Sequence, residues 1–341
     1  MVNKVKFGCL ATGIGTLPDT DAGAACRRVF RHLKDIPFWP QLPKRSPKEN
    51  MYLQFSEGFP GITVENDHIY AEKSDDFDSK LEKVYVAYLE NRPDDFAVSG
   101  DYAAGLHAFV SHKGEHFRFV KGQVTGPISW GLVATDRQQR GIIYDETLGD
   151  TVARFLRLKA AWQEKLLKSM TENTIILVDE PYLTSLGSAF VSIPPERVVN
   201  LIGEVLCGIE GISGVHCCGG ADWSLMLRLP TDIISFDTYN YAQSLGLYPD
   251  DVIAFLRRGG TIAWGIVPND EETLAGETIA SLNDRLGEAM APFTRDGISF
   301  RTILEQALVT PSCGLGLLSS EAADHALSLL TGLSEKLRQR L

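Results

Sequence analysis

Metal-binding side chains follow short apolar runs at several points of this sequence. Residues 214–220 read GVHCCGG and place His216 and Cys218 two positions apart, so in an extended strand both side chains point to the same face. A borderline-soft cation such as Zn²⁺ takes imidazole and thiolate ligands in a tetrahedral arrangement. The segment therefore supplies two corners of a zinc site, unless it is a packed histidine beside two small buried thiols.

Two later residues can complete such a site. Cys313 lies in the segment PSCGL, just after an apolar run, and Asp237 ends the apolar run of DIISFDTY. A carboxylate oxygen is a competent fourth zinc ligand or a partner of one. Asp237 can equally cap a helix or lie in a loop.

Other polar groups at the ends of apolar runs are candidates for substrate binding. Asp179 and Glu180 end a fully apolar run, and one carboxylate is expected to bind a substrate ammonium group through a charge-assisted hydrogen bond. The alternative is a solvated turn before a proline. Thr16 and the glycines before it can offer hydroxyl and backbone groups to a substrate carboxylate, and Gln123 is a further polar group at a strand end.

Apolar runs alternate with amphipathic helical stretches along most of the chain, which predicts a mixed α/β protein with a (β/α)₈ TIM barrel. The carboxyl ends of all barrel strands meet at one rim, so this fold would gather the candidate residues on one face. Strands are predicted at 5–12, 96–99, 117–124, 174–178, 214–217, 233–236, 261–266 and 307–309, and helices at 147–170, 198–207, 249–258, 271–290 and 321–341.

Residues 37–75 break this alternation. The prolines at 37, 40, 43 and 47 cannot lie inside a helix, and a turn at 57–61 precedes a predicted polar hairpin of 62–65 with 68–71. We expect one TIM-barrel catalytic domain over residues 1–341, with this excursion inserted after the first strand and folded over the barrel mouth.

Composition limits the classes of partner. The 341 residues are 44% hydrophobic and 23% charged, as in ordinary globular proteins. A net charge of −11 repels polyanions, so neither nucleic acid nor an anionic membrane is an expected partner. Six cysteines without a recognisable secretory signal predict reduced thiols in the cytoplasm.

The predicted ligand set suits one kind of chemistry. A zinc ion held by two thiolates, an imidazole and a labile carboxylate can exchange one ligand for an incoming thiol, and coordination removes that thiol's proton. A thiolate made in this way is a nucleophile without a general base, which favours alkyl transfer to sulfur. Hydrolysis is less expected because no water-activating glutamate of the H-E-x-x-H type is present.

Six short segments carry a family resemblance: 14–18 (IGTLP), 125–127 (TGP), 178–181 (VDEP), 216–218 (HCC), 232–238 (DIISFDT) and 311–315 (PSCGL). In their order and approximate spacing they resemble the catalytic, C-terminal half of cobalamin-independent methionine synthase. The resemblance covers nearly the whole chain, and its most specific part is the H-x-C motif with the late cysteine. It implies a TIM barrel of the superfamily shared with uroporphyrinogen decarboxylase and methylcobalamin:thiol methyltransferases.

The resemblance implies a zinc-dependent methyltransferase that methylates the thiol of homocysteine to form methionine. It implies that His216, Cys218 and Cys313 bind Zn²⁺, and it aligns Asp237 with a glutamate ligand that is one methylene longer. It also implies that Thr16 and Asp179 contact the amino-acid end of homocysteine. The complete predicted substrate-binding set is Ile14, Thr16, Gln123, Asp179 and Glu180.

The chain departs from the family in two respects. The family's amino-terminal half, which helps to hold folate polyglutamate, has no counterpart, so we expect methylcobalamin or a methylated corrinoid protein as the methyl donor. The family's glutamate that pairs with the substrate ammonium also lacks a clear counterpart, and Glu49 and Glu57 are candidates for its role.

Two alternatives remain from the sequence. A corrinoid-dependent methyltransferase acting on another, coenzyme M-like thiol would have no need of Asp179, because its acceptor has no amino group. A non-catalytic zinc-binding barrel is disfavoured because structural zinc ligands usually lie close together in sequence, whereas these candidates are spread over three predicted strands.

Overall fold

The computed structural model describes residues 5–72, 74–112, 117–188 and 191–341. Its strands coincide with runs of buried apolar residues, as is typical of parallel sheets covered on both faces. They are β1 (Leu10–Ala11), β2 (Ile62–Glu65), β3 (His68–Ala71), β4 (Val120–Thr125), β5 (Thr174–Asp179), β6 (Ile212–Cys217), β7 (Ile233–Phe236), β8 (Thr261–Val267) and β9 (Ala307–Pro311).

Helices follow most strands and pack on the outside of the sheet. The longest, Glu146–Leu167, begins at Asp145, whose side chain accepts the N–H of Leu148 and caps the first turn. The helices are α1 (Ala22–His32), α2 (Met51–Gln54), α3 (Phe77–Leu89), α4 (Ala104–Ser111), α5 (Pro127–Val133), α6 (Glu146–Leu167), α7 (Pro195–Leu206), α8 (Trp223–Met226), α9 (Thr238–Gly246), α10 (Pro249–Arg257), α11 (Glu271–Ala275), α12 (Ile279–Met290), α13 (Phe300–Glu305) and α14 (Ser320–Arg338).

Seven parallel strands form one curled sheet in the order β1-β9-β8-β7-β6-β5-β4. Alternate residues of the strands point inward, and they form a small apolar cluster that is separate from the core between sheet and helices. On β5 this cluster includes Ile175 and Leu177, and Asp179 is the next residue on the same face. The architecture is a mixed α/β, TIM-barrel-like fold, which confirms the predicted fold class.

The second predicted strand is wrong. Residues Pro93–Phe96 form a 3₁₀ helix and 97–99 pair with no strand. The gap between β1 and β4 is instead bridged by residues 35–41, part of the predicted excursion. Trp39 N donates to the Lys121 carbonyl on β4, whereas Gln41 N donates to the Gly15 carbonyl beyond β1. Pro37 and Pro40 have no N–H to donate, so the sequence of this segment does not match the pattern of a strand.

The structure also tests the predicted polar hairpin and the helix predicted over 271–290. The polar hairpin is confirmed, because β2 and β3 pair antiparallel from Ile62 with Ala71 to Glu65 with His68. The single helix predicted over 271–290 is wrong. It is divided into α11 and α12 by a capping box in which Thr278 and Ser281 exchange side-chain-to-backbone hydrogen bonds. In the described parts of the chain, no helix is both long and apolar enough to cross a membrane.

Candidate metal centre

The side chains of His216, Cys218 and Cys313 meet at the carboxyl ends of β6 and β9. Each offers one ligand atom, and the three atoms all lie within 4.8 Å of one another. His216 and Cys218 share a face because they are two residues apart at the end of β6. Cys313 reaches them from the loop that follows β9. The structure thus brings together three of the four predicted metal ligands.

The imidazole of His216 is held with one nitrogen free. Its Nδ1 lies 2.9 Å from Ser235 Oγ on β7, whereas Nε2 is buried and has no hydrogen-bond partner among the described residues. Burial, together with the cation of Lys121, lowers the pKa of His216 to about 3. The ring is therefore neutral at pH 7. A hydrogen bond from Nδ1–H to Ser235 leaves a lone pair on Nε2, as metal ligation requires.

The two thiols influence each other's protonation. A hydrogen bond from Cys313 lowers the pKa of Cys218 to about 7, and the same bond, reinforced by burial, raises the pKa of Cys313. The two sulfur atoms therefore lie within hydrogen-bonding reach of each other. Two sulfur atoms and one unprotonated imidazole nitrogen are a donor set that Zn²⁺ prefers, so the residues present fit the predicted ion.

Asp237 is close to this cluster but its carboxylate is engaged elsewhere. It caps α9, with Oδ1 accepting the N–H of Asn240 at 2.9 Å and Oδ2 accepting the Asn240 side-chain amide at 2.7 Å. Its ligand atoms do not belong to the group that lies within 4.8 Å. The negative charge of Asp237 nevertheless raises the pKa of Cys218, although less than other groups lower it.

The cluster opens into a cavity of about 490 Å³. Of the predicted substrate-binding residues, Ile14, Thr16 and Asp179 line it. Gly314 packs so closely on Thr16 that a Cβ at this position would lie 2.0 Å from Thr16 Oγ1. The loop that carries Cys313 is therefore wrapped around Thr16. The remaining lining residues are Gln41, Pro43, Lys44, Asn50, Met51, Pro181, His216, Cys218, Asn269, Cys313, Gly314, Gly316 and Leu317.

Asp179 faces this cavity with an unsatisfied oxygen. Its Oδ1 is buried without a hydrogen-bond partner among the described residues. The nearest opposite charge is the fully buried Lys121, whose Nζ donates to the Ile14 carbonyl at 2.5 Å and to Gln123 Oε1 at 3.2 Å. Burial raises the pKa of Asp179, and the Lys121 cation opposes that rise. A buried acceptor without a donor is costly unless a ligand satisfies it.

Glu180 and Gln123 lie outside the cavity. The carboxylate of Glu180 accepts the backbone N–H groups of Ile128 and Ser129 at the start of α5, as well as the Ser129 hydroxyl. Gln123 is buried inside the barrel, where its amide donates to the Trp39 carbonyl at 3.2 Å. Both side chains therefore have internal partners instead of the predicted contact with substrate.

Neither glutamate considered for the substrate ammonium lines the cavity. Glu49 is fully buried and pairs with Arg45 at 2.6 Å, and Glu57 accepts the backbone N–H of Ser99 at 2.7 Å. Sequence reasoning also missed Lys121 and Ser235. A lysine inside the predicted strand 117–124 was the available signal for Lys121, whereas a serine in a strand carries no signal of its own.

The hydrogen bond between Ser235 and His216 leads to a testable prediction. Replacing Ser235 with alanine removes the group that orients the imidazole, so affinity for Zn²⁺ should fall by about 10- to 100-fold. Competition with a chromogenic chelator measures this change. The exposed Ser328 on α14 provides the control, and Ser328→Ala should bind Zn²⁺ as the unmodified protein does. Equal affinity in both variants would show that Ser235 does not position the ligand.

The sequence matches no protein-family model and no curated protein. Among solved structures, a B12-independent methionine synthase from Shewanella sp. W3-18-1, in complex with selenomethionine, is similar with a TM-score of 0.61 and 16% identity, over 97% of this chain and 98% of that one. A methyltransferase from Methanosarcina mazei is similar with a TM-score of 0.57 and 12% identity, over 97% and 94%. At these identities the likeness shows that the chain has the TIM-barrel-like fold of these two proteins.

Proposed function

We propose that this protein is a zinc-dependent methyltransferase that methylates the thiol of homocysteine and forms methionine. One observation carries the proposal: the buried Nε2 of His216 has no hydrogen-bond partner in the part of the chain that the structure describes, and it lies beside two cysteine sulfurs at a cavity that Asp179 also lines. The TIM-barrel-like fold shared with a methionine synthase and a methyltransferase supports the same conclusion.

His216, Cys218 and Cys313 would hold the zinc ion. Asp237 would be the oxygen ligand in this proposal, and because its carboxylate already accepts hydrogen bonds from Asn240 it would be the weakest of the four. When bound, zinc supplies the positive charge that lets a coordinated thiol lose its proton near neutral pH.

The residues of the chain orient the acceptor. Asp179 accepts hydrogen bonds from the ammonium group of the acceptor. Ile14 and Thr16 line the same cavity and bind the carboxylate of the acceptor. Apolar residues such as Met51 and Ile14 also line the cavity that would hold the acceptor. The thiol proton goes to solvent, a sulfur–carbon bond forms, and the bond from the methyl carbon to the donor breaks with its electron pair left on the donor.

The donor in this proposal is methylcobalamin or a methylated corrinoid protein. A folate polyglutamate tail is polyanionic and needs cations. Among the described residues that line the cavity, Lys44 is the one basic side chain, and its Nζ already donates to the Leu318 carbonyl at 2.9 Å. The net charge of −11 also repels such a tail. The Shewanella protein is described as B12-independent, so a donor without B12 is the competing outcome.

The test is methionine formation from homocysteine with each donor in turn. We expect methionine with methylcobalamin, and little with methyltetrahydrofolate or its polyglutamate. Activity with the folate alone would overturn the choice of donor, whereas no methionine with any donor would overturn the proposed function. A metal chelator should abolish the activity and leave the fold intact, as a catalytic ion requires. Unfolding on chelation would instead indicate a structural ion.

A further inference from the structure

Gln41 lies at the carboxyl end of the segment that bridges β1 and β4. Its backbone is held by the segment that follows β1, because Gln41 N donates to the Gly15 carbonyl at 2.9 Å and the Gln41 carbonyl accepts the N–H of Leu17 at 3.0 Å. The side chain is only 3% exposed, and it lines the cavity beside the metal centre. Gln41 therefore occupies the rim position at which TIM barrels place functional residues.

A chain of hydrogen bonds determines which way the Gln41 amide points. A main-chain carbonyl can only accept, so the bond between Gln54 and the Tyr102 carbonyl, at 2.7 Å, must use the Gln54 Nε2. Gln54 Oε1 then faces Gln41 and requires a donor, which is the Gln41 Nε2 at 2.7 Å. The Gln41 Oε1 is consequently left as the unused end of the amide.

This oxygen lies against Gly15, between the cavity-lining residues Ile14 and Thr16. A Cβ on Gly15 would lie only 2.4 Å from Gln41 Oε1, so the absence of a side chain at Gly15 is what admits the amide. Within the described residues, no donor pairs with this oxygen. Two residues that line the cavity thus have an oxygen without a hydrogen-bond donor among the described residues: Asp179, whose Oδ1 is buried, and Gln41, whose Nε2 alone is engaged.

We propose that Gln41 is a specificity-determining residue that accepts a hydrogen bond from the ammonium group of the acceptor, together with Asp179. The inference rests on the site of the proposed function and deepens it: the pocket selects thiols that carry a primary ammonium group. Gln41 thus binds the substrate ammonium group, whereas Glu49 and Glu57 do not line the cavity. An amide does so without adding a second negative charge that would raise the pKa of its buried neighbour.

Ligand binding tests this inference without a methyl donor. Calorimetry with reductant compares L-homocysteine with 4-mercaptobutanoate, which has the same thiol and carboxylate but no amino group. We expect the unmodified protein to prefer homocysteine. In Gln41→Met, homocysteine binding should weaken by about 10- to 100-fold, because a hydrogen bond to a charged group is lost. Binding of 4-mercaptobutanoate should change by less than about threefold.

Gln163→Met is the matched control, because Gln163 is also fully buried but does not line the cavity. It should retain the preference for homocysteine. If Gln41→Met does not fold, Gln54→Met serves instead, since it removes only the partner that orients Gln41 and should reduce the preference. The inference would be overturned if a folded Gln41→Met or Gln54→Met protein lost affinity for homocysteine and 4-mercaptobutanoate equally. It would also be overturned if homocysteine did not bind the unmodified protein.

The outcomes separate this inference from the proposed function. A protein that discriminates between the two ligands through Gln41 but transfers no methyl group would refute the proposed function alone. Methionine formation by a protein whose Gln41→Met variant still prefers homocysteine by the original ratio would refute the role of Gln41 alone.

Discussion

Replacing Cys313 with serine is expected to remove bound zinc and, with it, methyl transfer to homocysteine. A serine hydroxyl is a far weaker ligand than a thiolate, and the loss of one of the three clustered ligands should cost more than the roughly 10- to 100-fold that follows from losing an outer partner. Cys218→Ser and His216→Ala should behave in the same way, because all three ligand atoms belong to one cluster.

Metal content per chain, measured by mass spectrometry alongside the rate of methionine formation, checks this prediction. Cys207→Ser is the matched control, since this thiol is exposed and does not belong to the ligand group found among the described residues. Asp237→Asn provides a graded comparison. Its oxygens already bind Asn240, so this variant should retain more zinc than the other three. Zinc retained in full by Cys313→Ser would refute the predicted centre.

The second large effect is expected from Asp179→Asn. Over the ranges that the structure describes, one oxygen of this buried carboxylate has no donor, and a substrate ammonium group would supply a charge-assisted hydrogen bond. Losing that bond costs about 1.5–3 kcal/mol, so the KM for homocysteine should rise about 10- to 150-fold. The kcat should change much less, because Asp179 binds the distal end of the acceptor and takes no part at the sulfur.

Steady-state kinetics with homocysteine and with 4-mercaptobutanoate separate these effects. For the thiol without an amino group, Asp179→Asn should leave KM nearly unchanged. Zinc content should also equal that of the unmodified protein, which excludes damage to the metal centre. An unchanged KM for homocysteine would contradict the assignment and would favour an enzyme that methylates a thiol without an amino group.

The elements with strong local signals were predictable. Strands such as β5 and β7 are short, fully buried apolar runs, and their ends in the sequence agree with the structure to within one residue. His216 and Cys218 could be paired from their spacing alone, because alternate residues of a strand share a face. To place Cys313 beside them, one further assumption was needed: that the carboxyl ends of all strands meet at one rim.

The second strand position shows where local signals fail. The segment 35–41 has two prolines and an irregular hydrogen-bond pattern, so the apolar run at 96–99 was the better match to a strand template. Its place in the barrel depends on main-chain bonds to Lys121 and Gly15, which are distant in sequence. Because the segment was misassigned, Gln41 was not recognised as a cavity residue.

Tertiary contacts also decided which of three carboxylates, those of Asp237, Glu180 and Asp179, already have hydrogen-bond donors. All three carboxylates follow apolar strands, but Asp237 is held by α9 and Glu180 by the start of α5, and Asp179 alone keeps a free oxygen at the cavity. Sequence by itself determined the barrel-like fold and the kinds of ligand atom, because these follow from local periodicity and side-chain chemistry. Only the tertiary structure decided which polar groups are already satisfied, because hydrogen-bond partners come from elements far apart in the chain.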